Sequence, residues 1–130
     1  MHTFEKNVLE SVAIAPQSIT AAEKVGVGVD MAKFNNYCAI VSIVGATQYQ
    51  GALTCVIAES TDDSTYSNTY LATVTIASAT TDRLDTVEIA AEKLSDGYRY
   101  LRVEVTPAAG TVNTISAVNL RFNPRFAAVQ

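Results

Sequence analysis

The chain has 130 residues, of which 17% are charged against roughly 25% in ordinary soluble proteins, and its formal net charge is −4. Nine Lys and Arg are too few and too scattered to clad a phosphate backbone, which excludes nucleic acid as a partner. The longest apolar run, "YCAIVSIVGA", is broken by Ser42 and Gly45 and is too short to span a bilayer, so no membrane role is expected.

"MHTFEKNVLE" has neither the basic start nor the apolar stretch of a signal peptide. Synthesis in the cytoplasm and a soluble product are therefore expected. This length predicts one domain that buries about two-thirds of its unfolded surface. A surface short of Lys and Glu has few devices against self-association, which points to a partner covering part of it.

Taken in chain order, the elements follow a period of two. "SVAIA" (11–15) is a first short strand, and "APQS" reads as the turn after it. Val25, Val27 and Val29 alternate with Gly26, Gly28 and Asp30. "MAKFNN" after Asp30 reads as one capped helical turn. "YCAIVSIV" (37–44) is β-branched and nearly continuous, as a strand buried on both faces would be. "ALTCVIAE" (52–59) follows after the turn "GATQYQG". "YLATVTIAS" (70–78) sets Ala72, Val74 and Ile76 against Leu71, Thr73 and Thr75. "DTVEIAA" (85–91) points Val87 and Ile89 one way and Thr86 and Glu88 the other, and "AAEKLSDG" reads as a helical turn with a Gly stop. "YRYLRVEVT" (98–106) turns Leu101, Val103 and Val105 in, and Tyr100, Arg102 and Glu104 out. "NTISAVNLRF" (113–122) closes the series with Ile115 and Ala117 inward and Val118 as a further candidate. About eight short strands at 8- to 14-residue spacing, without βαβ alternation, predict an all-β antiparallel sandwich or jelly roll over residues 11–122. Residues 1–10 read as an N-terminal arm and 123–130 as a C-terminal tail.

Catalytic signatures are scarce. The one histidine, His2, stands beside the first Met, where a triad or zinc site is not expected. No Gly-rich phosphate loop, nucleophile elbow or Cys-x-x-Cys motif is present. No enzyme activity, cofactor or metal is expected. Cys38 and Cys55 sit in apolar strands and read as free thiols. If 37–44 and 52–59 formed a hairpin, Cys38 would lie opposite Ala58, too far from Cys55 to bridge. "AESTDDSTY" (58–66) crowds acids and hydroxyls, as a calcium loop would. It lacks the Gly bend and the ligand spacing, so it reads as a connection whose Asp, Ser and Thr side chains cap backbone amides. Both ends carry residues of interface type, and Phe4, Leu9, Phe122, Arg125 and Phe126 are the candidate contacts.

Three segments, "VGVGVDMAKFNNYCAIVSIVGAT", "AESTDDSTY" and "LSDGYRYLRVEVT", resemble small virion proteins of tailed phages. There a "VD" strand end leads to a hydrophobic strand, an acidic loop and a "KRYVRV"-like strand. The nearest type is the jelly-roll cement, or decoration, protein of HK97-type phage heads. The likeness covers about 11–122, with one departure: such loops often carry Gly after the acidic pair, whereas this chain goes straight to Ser64. The resemblance implies a structural protein on the capsid exterior that binds the major capsid protein and itself, as a homodimer or homotrimer. Two alternatives remain open. One is a fibre or carbohydrate-binding module using Tyr49, Tyr66 and Tyr70, and the other is a neck or tail component. An enzyme would need Asp62, Asp63, Asp82 or Asp85 to converge.

Overall fold

The computed structural model describes residues 8–20, 22–31, 39–47, 51–77, 83–108 and 112–122. Nine strands are assigned among them: β1 (Val8–Thr20), β2 (Lys24–Val25), β3 (Val29–Asp30), β4 (Ala39–Thr47), β5 (Leu53–Ser60), β6 (Ala72–Ile76), β7 (Arg83–Ala90), β8 (Tyr100–Pro107) and β9 (Val112–Phe122). A single 3₁₀ turn, Ala91–Lys93, stands where the Gly-stopped helical turn was expected. β2 and β3 follow one another along β8, so the nine assignments amount to eight strand positions. They form two antiparallel sheets. The first has the order β1-β9-β4-β7, and the second β2-β8-β5-β6 with β3 also on β8. The fold is the all-β, jelly-roll-like sandwich that the alternation predicts.

The core lies between the sheets. Leu53, Ile57, Leu101, Val103 and Val105 are wholly buried there, with Ile76, Val87, Ile115 and Ala117 nearly so. Period-two alternation places these residues on the facing surfaces, because successive side chains of a strand point to opposite sides. Leu71, Ala72, Val74 and Ile89 pack at the margin. Met31 is buried, and the rest of "MAKFNN" lies outside the described residues.

Several expectations change. "APQS" is not a turn: β1 runs on to Thr20 and absorbs Pro16 at a register shift between Ile14 and Gln17. Only an edge strand tolerates this, because Pro has no N–H for a second ladder. β1 also reaches back to Val8, inside the stretch read as an arm. The hairpin considered for the two cysteine-bearing strands does not form, because β4 and β5 belong to different sheets. Val118 is outward and 38% exposed, since β9 turns 113, 115, 117 and 119 inward. Finally Glu104, read as facing solvent, is 4% exposed.

Two glycines fit the β2–β3 interruption. Three residues, 26–28, stand opposite two on β8, which makes a bulge. A Cβ at Gly26 would come within 2.8 Å of the Val103 carbonyl oxygen. There Gly26 N–H donates to that carbonyl at 2.7 Å, and Val27 N–H donates to Ala13 O of β1 at 2.9 Å, tying the two sheets at this edge. Replacing the core residue Ile57 by Ala should cost about 2–5 kcal/mol in urea unfolding. Thr75→Ala, on the exposed side of β6, should stay within about 0.5 kcal/mol.

Candidate functional site

The acidic loop leaves β5 at Ser60 and returns beside it. Tyr66 bridges back to Ser60, Ser67 N–H donates to Glu59 O at 2.9 Å, and Leu71 N–H to Ile57 O at 2.9 Å. Inside the turn the side chains cap the backbone. Asp62 Oδ1 accepts from the Ser64 and Thr65 amides, both at 2.9 Å, and from Ser60 Oγ at 2.9 Å. Ser60 Oγ accepts in turn from the Asp62 and Asp63 amides at 3.2 and 3.1 Å. These backbone donors hold the Asp62 carboxyl below the usual carboxylate range. Asp63 takes a left-handed conformation, φ 59°, which Asp accepts more readily than most residues. The loop is the capped connection that its composition predicts. Among the described residues no three His, Cys, Asp or Glu gather as metal ligands.

The loop is also anchored. The Tyr66 hydroxyl donates to Asp63 Oδ1, and burial followed by that hydrogen bond raises the phenol pKa. The Arg102 guanidinium lies 3.9 Å from the Tyr66 ring centroid. This stack sits above Ala58 and Ser60, both fully buried and small enough to leave room. Gly28 completes the seat, because a Cβ there would overlap the Asp63 carboxylate and the Tyr66 hydroxyl. Beneath, Arg102 reaches Glu104 Oε1 with Nε and Nη2, each at 2.7 Å. Burial nevertheless raises the Glu104 pKa, with Glu23 adding to the effect and Arg102 opposing it. At the core's end the buried Glu59 accepts from Ser95 N–H at 2.9 Å and Ser95 Oγ at 2.5 Å. Arg99 pairs with Asp30 and lies over the Tyr100 ring.

The sequence candidates are distributed as follows. Phe4, Arg125 and Phe126 lie outside the described residues, as do Cys38, Tyr49 and Asp82. Leu9 and Phe122 occupy the paired ends of β1 and β9, opposite Arg121 and Val8. The remaining aspartates are not brought together. Asp62 and Asp63 sit beside the second sheet, whereas Asp85 lies in β7 of the first and lines a small space with Cys55, Val74 and Val87. Cys55 is a buried free thiol, its pKa pushed up to about 12 by burial and then by Asp85. Tyr66 is engaged by Arg102 and Asp63, and Tyr70 is 42% exposed. Sequence reasoning missed the Gly28 seat, which has no signature along the chain, and the burial of Glu104, although it set Arg102 and Glu104 on one face of the same strand.

No protein-family model matches the chain, and no curated protein sequence matches it. Solved structures do. A subunit of Bacillus endospore appendages, described as disulfide-linked pili, superposes with a TM-score of 0.57 at 10% identity, over 92% of this chain and 90% of that one. The exported protein XepA of PBSX gives 0.59 at 15% identity, over 94% of this chain and 39% of XepA. VP2 of the infectious bursal disease virus subviral particle gives 0.61 at 11% identity, over 91% of this chain and 32% of VP2. The chain thus spans about two-fifths of XepA and a third of VP2. At these identities the likeness is one of fold.

Two predictions follow from the anchor. Gly28→Ala should leave the sandwich folded but release the loop, seen as faster proteolysis within 61–70 and shifted Tyr66 resonances. An unaltered loop would show that the seat is not needed. Glu104 gives a pH effect of definite sign. Its folded pKa is raised, so the folded state holds a proton that the unfolded chain releases. Stability should therefore fall as pH rises from the ordinary carboxylate range through the raised value, by at most ~1.4 kcal/mol per unit. Glu104→Gln should flatten that slope in urea titrations run across pH.

Proposed function

We propose that this chain is a structural virion protein that binds the outside of a phage capsid and stabilises it by bridging neighbouring major capsid protein subunits. The observation that carries this reading is where the exposed apolar side chains lie. Val12 (60%), Val118 (38%) and Leu84 (69%) share the outer face of the first sheet, and Val25 and Val27 crop out along the adjoining edge. Such a concentration on a small, charge-poor domain fits a surface that other protein covers. The sandwich shared with VP2 of a virus's subviral particle and with the exported protein XepA of PBSX supports it further. The work of such a protein is the free energy of a modest interface repeated many times over a shell, with no bond made or broken.

Quantitative mass spectrometry of purified particles tests this. A ratio of this chain to major capsid protein between roughly one-third and one is expected of a protein spread over the shell. About a dozen copies per particle would place it in the neck, tail or fibres instead. Absence from particles would end the structural reading.

A further inference from the structure

Asp96 and Gly97 form the tip of the turn between the 3₁₀ turn and β8, and both are exposed. Tyr98 N–H closes this tip by donating to Ser95 O at 3.0 Å. Gly97 takes φ +83°, and a Cβ placed on it would meet nothing within 4 Å. Among the described residues neither the Asp96 carboxylate nor the Gly97 N–H has a hydrogen-bond partner. The other described aspartates differ on both counts. The Asp30 carboxylate is paired with Arg99, and the next amide, Met31 N–H, donates to Arg99 O at 2.7 Å. Asp62 accepts from the Ser64 and Thr65 amides, while the Asp63 N–H that follows it donates to Ser60 Oγ. Asp63 accepts from Tyr66, and the Ser64 N–H that follows it is held by Asp62. Asp85 lies inside β7, whose backbone is paired along its whole length with β4.

We propose that Asp96 is a site of spontaneous aspartate isomerisation, the one described aspartate at which the fold leaves the reaction open. Ring closure needs the 96–97 peptide plane to rotate toward the side chain. Gly97 permits this, because without a Cβ it accepts φ of either sign and nothing crowds it. Gly97 N then attacks Cγ of the Asp96 carboxylic acid, whose hydroxyl leaves with the amide proton as water, and a succinimide ring forms. The reacting atoms belong to neighbouring residues, so the step has the advantage of any intramolecular attack. Water then opens the ring at either carbonyl. Opening at Cγ restores aspartate, whereas opening at the main-chain carbonyl carbon leaves isoaspartate, with the chain running through the side-chain methylene. One water is released and one is consumed, so no other reactant is needed. The consequence reaches the end of the core. Ser95, next in the chain, donates its N–H and Oγ to the buried Glu59 at 2.9 and 2.5 Å. An extra backbone atom in so tight a turn moves Ser95 relative to Tyr98, and a buried carboxylate then loses its donors. The chain thus ages by uncapping Glu59. This goes beyond the assembly reading and does not rest on it, because it is measured on the isolated chain.

The full chain should be aged for weeks in mildly acidic buffer and its peptides separated by liquid chromatography, with electron-transfer fragmentation to locate isoaspartate. An isomer of unchanged mass at Asp96, and none at Asp30, Asp62, Asp63 or Asp85, is expected. Asp96→Glu, whose ring would be larger and slower to close, should lose it. Absence of the isomer from the folded chain, its appearance only in urea, or equal conversion at another of these aspartates would each overturn the proposal. The aged fraction should also unfold at a lower urea midpoint than fresh protein, while Asp96→Glu aged alongside keeps its own. Equal midpoints for aged and fresh chain would overturn the uncapping of Glu59.

Discussion

The sandwich depends on the burial of alternate residues in the two middle strands of the second sheet. Leu101, Val103 and Val105 on β8 face inward beside Leu53, Cys55 and Ile57 on β5, and all six are at most 1% exposed. Every other element takes its position from that surface. β6 extends it, β2 and β3 edge it, and the first sheet is the lid that its apolar area requires. In a 130-residue chain such burial is the main favourable term set against the entropy of ordering the backbone.

On its outer side the same pair of strands carries different chemistry. Arg102 and Glu104 alternate with the core residues of β8. The opposite positions on β5, Ala58 and Val56, are apolar and buried. A charged pair set against such neighbours has to be covered and satisfied. Tyr66 supplies the cover and Arg102 the counter-charge. The acidic loop thus reads as a fastening for the second sheet. Its aspartates accept from backbone amides and Ser60 at Asp62 Oδ1 and from Tyr66 at Asp63 Oδ1, which fixes the turn in place.

Much of this was legible in the sequence, and the failures have physical reasons. Alternation gave the strands, the two faces of β6 and β7 and the inward face of β8, because burial on one face leaves a period of two in the residues themselves. It could not reveal that Glu104 is buried, since that depends on a loop 40 residues away folding back over β8. Nor could it decide whether β4 and β5 pair or lie in different sheets, because consecutive strands of a sandwich do either. Pro16 misled for a related reason. Proline signals a turn unless the strand is an edge, and edge status belongs to the topology. The capping of the loop was visible because Ser60 and Asp62 act within three residues of themselves, whereas the Gly28 seat joins residues more than 30 apart.

The Pro16 irregularity bears on how such a chain behaves when crowded. β1 is 13 residues long and, among the described strands, pairs on one side only, and a straight edge of that length is a template on which further chains can add strand by strand. Two register shifts and a missing N–H divide it into short stretches with different twist. An incoming strand in register with one stretch is out of register with the next. Copies held at high local density can then meet through side chains without their backbones zipping into fibres.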